Sequence, residues 1–218
     1  TLANSNLCIR LGSNSSICEN AVLNISDGTF SYIHGGNNRY NVVNSTINFS
    51  GNARVISHLQ GGGTNKNVTR SFINISGGEI MELFINGYGT ANLGSSVINI
   101  SGGRVSNLTD GRTNASASPT GKVTGEVTVT VSGSGQLDSY VALNQYGVMA
   151  NATKNLIFID VPRASVDVSL NQWSNVTLKG TSRVYATVPY SAPSKSLNID
   201  HGSQLILMED QVIPSELQ

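Results

Sequence analysis

Ile73-Asn74-Ile75-Ser76-Gly77-Gly78 returns 25 residues later as Ile98-Asn99-Ile100-Ser101-Gly102-Gly103. Looser copies stand at Leu23–Gly28, Ile47–Asn52 and Val129–Gly135. Inside each copy apolar and polar residues alternate, which is the pattern of a half-buried strand. A phrase repeated at such a period marks one turn of a stacked array, because a single turn cannot bury its apolar side and a stack can.

After each glycine a second short strand opens with an apolar residue: Phe30, Val55, Ile80, Val105 and Leu137. Three positions on, Ile33, Leu83, Leu108 and Tyr140 are further candidates for the core, with His58 as an exception. A loop rich in Gly and Asn then leads to the next copy. The second half keeps the rhythm at closer spacing, with Leu156–Ile159, then Val176 and, 21 residues later, Leu197 as strand residues. Helical periodicity is absent, so a βαβ sheet lacks its crossovers, and a sandwich gives no reason for near-identical strands. The prediction is an all-β chain: a right-handed parallel β-helix, or β-solenoid, of about eight turns of roughly 20–30 residues, forming one unit over residues 1–218.

Composition narrows the function classes. The 218 residues carry 13 basic and 13 acidic side chains, 12% of the chain, for a net charge of zero. No basic face is available for nucleic acid or an anionic membrane, and no apolar run reaches the length of a bilayer span. Thr1–Ser5 opens in polar sequence and neither end shows an amphipathic cap, so a segment of a longer protein is expected. Cys8 and Cys18 are the only cysteines. They read either as a disulfide, which suits an exported protein, or as two small apolar residues at the end of the stack.

The repeated Ile-Asn-Ile-Ser-Gly-Gly phrase, the Gly-Gly-x-Val/Ile step and the Gly/Asn/Ser/Thr-rich loops resemble the β-helical repeats of bacterial cell-surface adhesins and secreted right-handed parallel β-helix proteins. The resemblance covers Leu23–Tyr140 well and the remainder weakly. It implies the fold and an extracellular setting, secreted or attached to the cell wall, and supplies no catalytic motif.

Asn24, Asn48, Asn74 and Asn99 each lie in an Asn-x-Ser/Thr sequon at one repeat position. Glycans would collide at the spacing of neighbouring strands, whereas an amide ladder fits it. The same fold hosts polysaccharide-cleaving enzymes, so acids matter. If the chain is a glycoside hydrolase or lyase, the best pair is Asp138 and Asp160, on consecutive turns. Acids are thinly spread, however, and neither a nucleophile elbow nor a phosphate loop occurs. His34, His58 and His201 fall at different offsets, so neither a metal site nor a cofactor is expected.

The loops hold the better recognition residues. Arg39, Tyr40, Tyr88, Asn92 and Arg112 come to one side of the stack if the turns stay in register, and rings with amides and guanidinium groups suit a sugar. The expectation is a non-catalytic binding or adhesion module for a glycan, or for a host or cell-surface protein. The alternatives are the enzyme and a purely structural stalk.

Overall fold

In the computed structural model, which describes residues 7–87, 89–110, 121–140, 149–166, 170–186 and 193–207, the alternating phrases become two stacked parallel ladders. The first ladder runs through Cys18–Ile25 (β2), Val42–Phe49 (β4), the N-terminal halves of Val68–Phe84 (β6) and Leu93–Thr109 (β7), then Glu126–Ser132 (β8), Thr153–Ile159 (β10), Asn175–Lys179 (β12) and Ser196–Ile199 (β14). The second runs through Cys8–Arg10 (β1), Thr29–His34 (β3), Arg54–Gln60 (β5), the C-terminal halves of β6 and β7, and Gln136–Tyr140 (β9). A separate ladder of Ala164–Val166 (β11), Arg183–Ala186 (β13) and Gln204–Leu207 (β15) closes the later turns. The result is a β-solenoid of about seven turns.

Strict pairing of like with like builds the core. Leu23, Ile47, Ile73, Ile98, Val129, Leu156, Val176 and Leu197 form one column of Cα partners. Ile25, Phe49, Ile75, Ile100, Val131, Phe158, Leu178 and Ile199 form the next. Ile47 to Leu178 are buried in both columns, each side chain adding about 1.5–3 kcal/mol of hydrophobic stabilisation. Leu23 is only half-buried, because β2 is the first strand of its ladder and has a neighbour on one side.

The second ladder explains the exception at His58. Ile33 pairs with Leu59, and Leu59 with Leu83, so Leu59 takes the core place one residue beyond His58. The register slips between Val55 and His58, where β5 carries one residue more than its neighbours. Such a bulge re-aims the side chains beyond it. Tyr140 pairs with Leu108, although its side chain lies outside the described ones.

Corners between the ladders need backbone that most side chains resist. At Gly78, φ is 78° and a Cβ would lie 2.4 Å from the Ala53 carbonyl oxygen. The matching corner after β10 is made by Asp160, the one described non-glycine residue with positive φ, at 50°. No disulfide joins the two cysteines: Cys8 lies in β1 and Cys18 in β2, in different ladders.

Candidate functional site

The outward face of the first ladder is a flat surface of three parallel columns. Asn24, Asn48, Asn74 and Asn99 form a ladder in which each Nδ2 donates to the Oδ1 of the preceding turn, at 2.7, 2.8 and 2.9 Å. Two residues upstream in each strand, Val22, Thr46, Phe72 and Val97 are Cα partners, with Val22 61% and Phe72 37% exposed. Beyond them Asn20, Asn44, Arg70 and Ser95 make a third column, where Asn44 Nδ2 donates to Asn20 Oδ1 at 2.9 Å. A partly apolar stripe thus runs along the solenoid axis between two polar rows. Asn48 and Asn74 each spend one N–H and one lone pair on their neighbours, which leaves a second of each, at a spacing of about 4.8 Å.

A charged column follows the corner. Arg54 pairs with Glu79 at 3.0 Å, and Arg104 with Asp138, all four pointing outward. Two adjoining shallow grooves of about 490 and 440 Å³ share Arg54 and Glu79 in their walls. The second groove also exposes Ile56 and Met81. Alternating sign prevents like charges from stacking, while exposed pairs of this kind contribute only about 0–1 kcal/mol.

The predicted site residues have distinct fates. Asp138 is held by Arg104 from the preceding turn. Asp160 looks to the following turn, where its Oδ1 accepts the Thr181 N–H at 3.1 Å. The two acids are therefore engaged in opposite directions along the stack. Asn92 belongs to a second amide ladder at the entry to the strands. Its N–H donates to Asn67 Oδ1 at 2.9 Å and its own Oδ1 accepts from Lys122 N at 2.8 Å, just as Asn41 Oδ1 accepts from Asn67 N at 3.0 Å. Arg39 and Tyr40 are exposed at the end of the loop that enters β4. Tyr88 and Arg112 lie outside the described residues.

Two features escaped sequence reading. His34 and His58 are buried, 0% and 2% exposed, with their Nε2 atoms 2.9 Å apart. Tyr32 stacks on both rings, and Phe84 stacks on His58. The bulge in β5 moves His58 off the core offset and into this cluster, so only a reading that detected the extra residue could have found it. The second is Lys154, which pairs with Val127 on the alternation that points inward. Burial pushes its ammonium below the ordinary lysine range, with the charge of buried Asp110 opposing the shift.

No family model, no curated protein and no solved structure matches this chain.

Proposed function

We propose that the chain is a non-catalytic, adhesin-like binding module, secreted or held at a bacterial cell surface, that recognises glycan along the flat outer face of the first ladder. The observation that carries this reading is the Val22–Thr46–Phe72–Val97 stripe set between two polar columns. A pyranose presents an apolar face and a rim of hydroxyls, and this surface offers a ring with donors and acceptors on both sides. Strand spacing repeats the Asn row along the axis, so an extended polymer meets its amides on successive turns beside the ring of Phe72. Arg39 and Tyr40 stand at the entry end of β4 and extend the surface toward the loops. Affinity per site is expected to be weak, since the face is shallow, and to grow with many copies on a cell.

Engagement of Asp138 by Arg104, and of Asp160 by the next corner, supports binding over catalysis. The test is to incubate the whole chain with a panel of insoluble and soluble polysaccharides, reading retained protein and released product together. Retention without product is the expected result. Product that disappears in Asp138→Ala or Asp160→Ala would replace the binding reading with an enzyme, and retention by protein-coated surfaces alone would point to a protein ligand.

A further inference from the structure

We propose that His34 and His58 form an acid-sensitive clasp between β3 and β5. The pair fits the fold while it holds at most one proton beyond its neutral form, and it parts when both imidazoles are charged. The geometry that carries this is the meeting of the two Nε2 atoms at 2.9 Å. The ring centroids stand 5.1 Å apart with the planes 30° from parallel, so the rings meet through these nitrogens at their edges. A neutral imidazole offers one N–H and one lone pair, so one Nε2 donates and the other accepts.

Proton counting sets the limit. His58 Nδ1 lies 3.0 Å from Ser57 Oγ, a hydroxyl that can donate to the ring or accept from it. A first added proton can therefore sit on His58 Nδ1 and donate to Ser57, while His58 Nε2–H still donates to His34. A second has to go on the accepting Nε2. It then faces another N–H across the same gap, the bond between the rings is lost, and two cations lie side by side away from water. Burial makes both losses costly, because His34 is 0% and His58 2% exposed.

The groups around the pair do not accommodate the second charge. Tyr32 stacks on both rings and Phe84 on His58, so aromatic faces cover them. On β1, Arg10 is the Cα partner of His34, and its guanidinium lies 5.3 Å from the centre of the Tyr32 ring, a fixed positive charge that opposes another. Cys8, the Cα partner of Tyr32, is exposed, and Gln60, the partner of His34 on β5, is neutral. On β6, Glu82 is the Cα partner of His58, and one carboxylate can balance one imidazolium, the first. Glu79, further back on β6, is engaged by Arg54. In the unfolded chain, by contrast, both histidines take up protons as pH falls through about 6.5. Below that value the unfolded chain holds at least one proton more than the folded chain, so the stability present above it is lost on acidification.

The experiment uses the full chain without a histidine tag. Nitrogen magnetic resonance of the imidazoles, followed in the folded protein from about pH 8 to about pH 5, counts the protons directly, with exposed His201 as the reference ring. His34 and His58 together should gain no more than one proton. A folded wild-type chain in which both rings become imidazolium would overturn the proposal without recourse to any variant. In denaturant, the unfolding constant of the wild type should rise about tenfold or more per pH unit below about 6.5, relative to His34→Gln/His58→Gln, since one proton of difference is tenfold per unit. His201→Gln, outside the clasp, should keep the wild-type slope. Equal slopes for the wild type and a folded double variant would overturn the proposal equally.

Discussion

Single residues in this solenoid are judged by the column they join. Ile75 is 1% exposed between Phe49 and Ile100, so Ile75→Ala should destabilise the chain by about 2–5 kcal/mol, read as a lower unfolding midpoint in denaturant. A neutral effect would mean that the columns are out of register. Asp160 is tied into a corner of the stack. Its carboxylate sits over Gly180, where a Cβ would come 2.0 Å from Oδ1, and it also holds the Thr181 N–H. Asp160→Ala combines a lost hydrogen bond with a left-handed backbone that alanine resists, for about 1–3 kcal/mol of destabilisation. Asp160→Gly relieves the backbone and should cost less, and thermal unfolding of the two variants side by side checks the order. This corner role is not legible in the residues around Asp160, because its partners lie in the neighbouring turn.

At the scale of strands, repetition made the first ladder legible: identical phrases have to pair with themselves to bury one continuous core. The Asn ladder was readable for the same reason, since four amides at one offset must stack. The bulge in β5 was not, because a single added residue leaves composition and approximate period unchanged and shifts only the alternation after it. The place of Asn92 in the ladder at the strand entries was not legible either, because its partners lie on the neighbouring turns. Lys154 breaks the alternation of β10 and gives that strand a pH signature. Its folded-state pKa is lowered by burial, so the folded chain releases this proton more readily than the unfolded chain. Below the folded value the buried ammonium destabilises the fold. As pH rises from there to the ordinary lysine value of 10.5, the unfolded state holds more protons and that destabilisation is relieved. Lys154→Met should therefore flatten the rise in the stability of the wild type across this alkaline window, and equal slopes for the two chains would contradict the assignment.

For the whole molecule, the stack turns a short repeated phrase into a rigid surface with a fixed pitch. Fold class was legible because the repeat states it many times. The proposed binding face was not, because it depends on which outward columns become neighbours, and that follows from register. The loops drew attention as the variable part of the sequence, whereas the flat face is assembled from residues that look, one strand at a time, like ordinary solvent-facing positions. Phe72 is the centre of that face, flanked by Arg70 and Asn74 on its own strand and by Thr46 and Val97 on the adjoining turns. The most direct test of the account is retention of the whole chain on the polysaccharides that bind it, comparing Phe72→Asp with Arg39→Ala/Tyr40→Ala under conditions where all are folded. Phe72→Asp should abolish retention while the loop variant keeps most of it; retention that survives Phe72→Asp and is lost in the loop variant would contradict the account.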